Sequence, residues 1–270
     1  MKILNFTIDQ TFNGFSIRQF LQHYHVGKPT IYKYSSNHLF EVNYKTVNSE
    51  YRLKTGDVFN IHLENYVMDT VEDVSLDIVY EDDDIFIVNK PLHMIVHDDG
   101  ASPIYLTKLV NMYFQKYGYF HQVLPAHRLD KETTGMVLFA KHFIALAYLS
   151  HLFETRQVEK TYICVVENKV KVPKSTIQTK LSKDTKTQKM VVSNHGKLAI
   201  THYEVIGYEA TRTRLKVQIE TGRTHQIRAH LASMNHPVVG DTIYGVSSSR
   251  LLLHFSGLSF EMMRTKKVEH

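Results

Sequence analysis

Three segments carry polar residues where a sequence that only built a core would not need them. The first is His127-Arg128-Leu129-Asp130-Lys131-Glu132-Thr133-Thr134-Gly135, which runs into the apolar stretch Met136-Val137-Leu138-Phe139-Ala140 and so sets a carboxylate, Asp130, at the mouth of a buried sheet. The second, Glu159-Lys160-Thr161-Tyr162, opens another apolar strand. The third is Thr221-Gly222-Arg223-Thr224-His225-Gln226-Ile227-Arg228-Ala229-His230-Leu231. There Gly222 supplies a turn, Thr224 is the candidate helix cap, and Ile227, Leu231 and Met234 form an inward helix face. A carboxylate, a phenol and a guanidinium are groups able to attack, accept a proton, stack and hold charge. Each also has an ordinary reading: a loop Asp is usually a turn or cap residue, a Tyr in an apolar strand is usually core, and an Arg is usually a surface ion-pair partner.

Other chemistries find less support. Among the 17 histidines, His93 and His97 stand four apart, followed by His121 and His127, but no His-Glu-x-x-His spacing occurs and no metal site is expected. Cys164 is the single cysteine, which excludes an intramolecular disulfide framework. No apolar run approaches the roughly 18 residues of a membrane span, and the N-terminus shows no signal-peptide pattern, so a soluble, cytoplasmic protein is expected.

The elements that must position these groups follow from periodicity. Helices are expected at 104–117, 142–155 and 224–234, and strands at 75–80, 84–89, 136–140, 160–167, 200–208, 213–220 and 250–256. Before them, a strand over Ile3 to Ile8 leads to a helix with Ile17, Phe20, Leu21 and Tyr24 on one face behind Ser16 as N-cap, and later to strands at 41–44 and 58–63. Strands in runs with few crossover helices predict an α+β fold with a mixed, largely antiparallel central sheet and flanking helices. Net charge is +5, yet residues 69–84 hold eight carboxylates and no Lys or Arg, which reads as a boundary between 1–68 and 69–270. Positive charge gathers at 156–189, with nine basic against three acidic residues, and at 212–228, with five against one. Such stripes suit a polyanion, although the 169–189 run alone reads equally well as a solvated lysine surface.

In these residues the sequence resembles the RluA-type pseudouridine synthases, which isomerise uridine in ribosomal and transfer RNA. The first segment looks like the family's catalytic-aspartate motif, the second like its Lys-x-Tyr strand, and the third, continued by His236-Pro237-Val238-Val239-Gly240-Asp241 and Tyr244-Gly245, like its Gly-Arg-Thr-His-Gln-Ile-Arg signature. Val88-Asn89-Lys90-Pro91 through Val96-His97 resembles the entry motif and Leu252-Leu253-His254 the closing strand; the likeness runs in order from about residue 75 to 260. Thr134 stands where the family usually has serine. Residues 1–68 resemble a degenerate alpha-L RNA-binding domain: Val42-Asn43-Tyr44-Lys45 and Leu53-Lys54-Thr55-Gly56-Asp57 match its later part, but 28–38 offers only Lys28 and Lys33.

The resemblance implies that Asp130, Tyr162 and Arg228 are catalytic: Asp130 as nucleophile on C1′ or base at C2′, Arg228 beside it favouring its charged form, Tyr162 stacked on uracil. It implies that Arg128, Lys160, Arg223, His225, Gln226, Lys90 and Leu253 contact substrate or RNA, with Arg128 filling the place of the extruded base. No cofactor is implied, because the isomerisation needs no redox step or group donor. The expected partner is RNA, first large-subunit ribosomal RNA and second transfer RNA, bound by a monomer. A non-catalytic RNA-binding or ribosome-assembly factor on the same fold is the alternative. A nucleoside hydrolase would want a second carboxylate, for which Glu132 is the only nearby candidate.

Overall fold

In the computed structural model, residues 3–68, 73–265 and 268–269 are described. The elements up to residue 154 are β1 (Ile3–Thr7), α1 (Ile17–His23), α2 (Lys28–Ser36), β2 (Phe40–Val42), β3 (Lys45–Val47), β4 (Val58–His62), β5 (Ile78–Glu81), β6 (Ile85–Lys90), α3 (Leu106–Lys116), β7 (Leu124–Pro125), β8 (Thr134–Ala140) and α4 (Phe143–Glu154). After them come β9 (Glu159–Glu167), β10 (Lys174–Lys183), β11 (Met190–Val192), β12 (Lys197–Glu209), β13 (Arg212–Ile219), α5 (Gln226–Ser233) and β14 (Leu253–Glu261). The chain divides into two compact units. One holds the residues up to Val88 with His97–His127 and Leu138–Glu154; the other holds Asn89–Val96, Arg128–Val137 and the residues from Thr155 on.

In the first unit an antiparallel sheet of order β1-β4-β2-β3 packs on α1 and α2. α1 starts with a capping box: the Ser16 hydroxyl accepts the Gln19 N–H at 3.2 Å, and the Gln19 side-chain Oε1 accepts the Ser16 N–H at 2.8 Å. Phe6, Phe20 and Phe59 fill its core. Side chains tie the first 68 residues to the later segments of this unit. Tyr34 lies 4.3 Å from Phe143 between ring centroids, His25 stacks on His151 at 3.5 Å, and the Glu64 carbonyl is 2.8 Å from His121 Nδ1. α4, apolar around most of its girth, is buried at Ile144, Ala145, Tyr148, Leu149 and Leu152.

Residues 69–72, next to the expected boundary, lie outside the described residues, as do Lys266, Lys267 and His270 of the expected tail. In the described part of the acidic run, several carboxylates have partners in the fold. Asp82 Oδ1 accepts the N–H groups of Asp84 and Ile85, Glu81 pairs with Lys141 at 2.8 Å, and Asp84 Oδ1 lies 2.9 Å from His142 Nε2. His142 Nδ1 in turn accepts the Ala145 N–H at 3.2 Å, so an anchored imidazole caps α4.

The second unit is an antiparallel sheet of order β11-β10-β12-β13-β9-β14, with the start of β8 parallel to β14. α5 lies on one face over Cys164, Leu215, Val217 and Leu253, and it contributes Ile227 and Leu231 to that core. The single cysteine is therefore a small apolar core residue. β10 lies inside the lysine run and β11 directly after it, where apolar periodicity marks no element. Only Ile177 and Leu181 of β10 are buried, so its lysines decorate a strand held by pairing to β12. Helix α5 is capped at His225, not Thr224. Among the described residues no helix is long and apolar enough to cross a membrane.

Candidate active site

Asp130 lies in the loop before β8, and that loop is held at close quarters. Gly135 has φ +121° and pairs with Phe255 so tightly that a Cβ there would lie 2.2 Å from the Phe255 carbonyl oxygen. Thr134 Oγ1 meets His254 Nδ1 at 2.9 Å on the same β8–β14 pairing, so the hydroxyl that replaces the family's serine is in use. Asp130 then borders a cavity of about 250 Å³ shared with Tyr162, His225, Arg228 and Leu253.

Two nitrogens face one carboxylate oxygen. Arg228 Nη1 and His225 Nε2 each lie 3.8 Å from Asp130 Oδ2. Arg228 is 2% exposed, and its closer partner is Asp241, which accepts from Nε and Nη2 at 2.8 Å each. Asp241 is fully buried and its Oδ1 also accepts the N–H groups of Ile243 and Tyr244. Burial pushes the Asp241 carboxyl upward, but the hydrogen bonds and charge of Arg228 outweigh that and hold it below the ordinary range. Arg228 is thus shared between two carboxylates, and the bidentate one is not Asp130. Asp241 is the residue that sequence reasoning misses. It stands in the signature, but nothing in spacing says which carboxylate a guanidinium will choose.

Tyr162 of β9 stacks on Phe255 of β14, with centroids 4.6 Å apart and planes inclined by 24°. Burial, reinforced by the negative charge of Asp130, raises its phenol pKa above the ordinary value. A β-bulge in β14 just past Phe255 shifts the register beside this pair.

The residues expected to touch RNA take different places. Arg128, exposed, Arg223, His225, Gln226 and Leu253 line the cavity. Lys160 is outside the lining, with its ammonium 3.5 Å from the Glu220 carbonyl. Lys90 and Gln226 are braces. Lys90 is 1% exposed and donates to the carbonyls of Pro91, Met94 and Lys131, which pins the Asp130 loop from below. Burial brings its pKa down to about 8, with Glu132 and Asp130 pulling the other way. Gln226 accepts from the Thr221 hydroxyl and the Arg223 N–H, and donates to the Ile200 carbonyl and Thr201 Oγ1, so no polar atom is left for a substrate. The second-carboxylate candidate, Glu132, is paired with His93 at 2.7 Å. Among the described residues no group of three or more His, Cys, Asp or Glu gathers as a metal site.

The architecture is that of the pseudouridine synthases. The structure of human RNA pseudouridylate synthase domain containing 1 superposes with a TM-score of 0.63 at 24% identity, over 75% of this chain and 85% of that one. Its domain-containing-4 counterpart gives 0.59 at 24%, over 68% and 83%. The family described as RNA pseudouridylate synthase matches residues 84–233. In sequence the chain is 36% identical to the RNA pseudouridine synthase YhcT of Bacillus subtilis (strain 168), over 83% of this chain and 76% of that protein. It is 37% identical to ribosomal large subunit pseudouridine synthase D of Escherichia coli (strain K12), over 69% of this chain and 57% of that enzyme. The chain belongs to the RNA pseudouridylate synthases, in their RluA-type branch, and is by family an isomerase that acts on RNA.

Proposed function

We propose that this protein converts uridine to pseudouridine in large-subunit ribosomal RNA, with Asp130 as the reacting carboxylate. The observation that carries the reading is the cavity itself. One acid, flanked at 3.8 Å by Arg228 and His225, stands beside a stacked aromatic pair, with Glu132 taken up by His93. The reaction breaks N1–C1′ and forms C5–C1′; C5 loses a proton and N1 gains one, so nothing is oxidised and no group leaves. Asp130 acts on the ribose as nucleophile at C1′ or base at C2′. Arg228 sets its positive charge 3.8 Å from the Asp130 carboxylate. Tyr162 holds the detached uracil by stacking, and its raised pKa keeps it a phenol, a donor and not a base. The target base must be extruded to reach this cavity, and Arg128 at its edge fills the vacated place. Large-subunit RNA is chosen as substrate because the Escherichia coli relative is named for it.

The test is tritium release from RNA labelled at uridine C5 and made in cells lacking the protein. The wild-type chain should release label, and Asp130→Asn should lower the rate by about 10²–10⁴-fold, the usual worth of a lost general base or more. Near-normal release by the Asn variant would remove Asp130 from catalysis. Chemical mapping of pseudouridines in the same cells should show a position lost from large-subunit RNA; a loss confined to transfer RNA would reject the substrate.

A further inference from the structure

Both donors that face Asp130 are held by a single short stretch, residues 241–244. Asp241 fixes Nε and Nη2 of Arg228, which leaves Nη1 as the nitrogen directed at Asp130 Oδ2. Tyr244, whose own N–H is bound by Asp241, carries a hydroxyl 3.1 Å from His225 Nδ1. That hydroxyl already accepts the Met190 N–H at 2.9 Å. A phenol has one proton to donate, and the acceptor within reach is Nδ1. The imidazole then carries its hydrogen on Nε2, the nitrogen 3.8 Å from Oδ2.

The backbone around His225 serves the same end. It enters α5 at φ +50°, in the left-handed region, and occupies the N-cap position without making a capping hydrogen bond. The side chain is turned into the cavity, its ring edge-on to Tyr244 with centroids 5.7 Å apart. The charged and titratable groups facing it are Asp130, Arg228, Asp241 and Tyr244. At 3.8 Å neither donor is yet hydrogen-bonded to Oδ2, and a closure of about 1 Å on a filled site brings both into range.

We propose that His225, oriented by the Tyr244 hydroxyl, is a positioning residue for Asp130. With Arg228 it occupies Oδ2 and leaves Oδ1 as the oxygen presented to the ribose. This rests on the reading of Asp130 as the reacting carboxylate. It also gives His225 a different task from the RNA contact expected of it: it orients an acid and grips no phosphate. Tyr244 acts through His225 and needs no substrate contact of its own.

The experiment is a double-mutant cycle in the full chain, read by tritium release over a range of RNA concentrations. His225→Ala should lower kcat about tenfold or more, the worth of a hydrogen bond to a charged group, with KM within about twofold. His225→Gln, whose amide still donates, should recover part of that loss. Tyr244→Phe should lower kcat severalfold, and the double variant Tyr244→Phe/His225→Ala should be no slower than His225→Ala alone. A raised KM with unchanged kcat in His225→Ala would make it an RNA contact and overturn the proposal. So would multiplicative losses in the double variant, which would separate Tyr244 from His225. If His225→Ala keeps wild-type kcat while Asp130→Asn is inactive, the proposal falls and the catalytic reading stands; an active Asp130→Asn removes the catalytic reading first.

Discussion

His230 gives the protein a pH-dependent stability whose size follows from its surroundings. It is a fully buried residue of α5, with Nε2 3.0 Å from Thr179 Oγ1 of β10 and Nδ1 2.9 Å from Thr201 Oγ1 of β12. Thr201 already accepts a Gln226 N–H, so its own proton goes to Nδ1, and a proton added there would leave that hydroxyl without an acceptor. Burial lowers the His230 pKa from 6.5 to about 4. As pH falls below 6.5 the unfolded chain takes up this proton and the folded chain does not, so stability present above 6.5 is lost toward about 4. At 1.36 kcal/mol per pH unit that difference is worth about 3 kcal/mol, most of it gone by about pH 4.5. The assay is urea unfolding of the full chain, followed by circular dichroism, in steps from about pH 7.5 to 4.5. The wild type should lose about 2.5 kcal/mol more than His230→Gln over this range, whatever the variant's starting stability. Parallel losses in the two proteins would refute the reasoning, because the slope difference belongs to this one imidazole.

Two further outcomes follow from the site's framework. Asp241→Ala leaves the Arg228 guanidinium, 2% exposed, without its bidentate partner and should cost about 3–5 kcal/mol by urea midpoint. The double variant Arg228→Met/Asp241→Leu should regain most of that stability while remaining inactive, and a single-variant cost under about 1 kcal/mol would contradict the buried-pair account. Gly135→Ala puts a Cβ 2.2 Å from the Phe255 carbonyl at φ +121°, so it should lower the unfolding temperature and abolish tritium release together; a wild-type unfolding temperature would show that β8 and β14 tolerate separation.

What is legible in the sequence, and what is not, has physical causes. Strong apolar periodicity marks β8, β9, β13 and α4 to within a few residues: β8 is buried on both faces, α4 around most of its girth, and β13 alternates strictly between buried and exposed positions. β10 escapes because only Ile177 and Leu181 are buried, four apart among lysines and threonines, and a strand held by its neighbour needs little hydrophobicity of its own. In the site, Asp130, Tyr162 and Arg228 are readable from motif and type. The pairing of Arg228 with Asp241 is not, and neither is the burial of Lys90, since charge alone does not distinguish a residue that meets phosphate from one that ties down a loop. Composition marks the acidic run only as a charge block; that Asp82 and Asp84 serve as turn and cap partners, with acceptors on local N–H groups and His142, is not written in it.

The chain passes between its two units at 88/89, 96/97, 127/128, 137/138 and 154/155, and this has a consequence for timing during synthesis. Everything the first unit needs has emerged once Glu154 is made. The Asp130 loop belongs to the other unit, and its supports come late: Tyr162, then His225 and Arg228, and last His254, which bonds Thr134 across 120 residues of sequence. A domain that folds as it leaves the ribosome would therefore hold its acid unsupported until β14 arrives. A chain cut short before Leu253 has Asp130, Tyr162 and Arg228 in its sequence but lacks the strand that pairs with the start of β8 and the Phe255 ring that stacks on Tyr162.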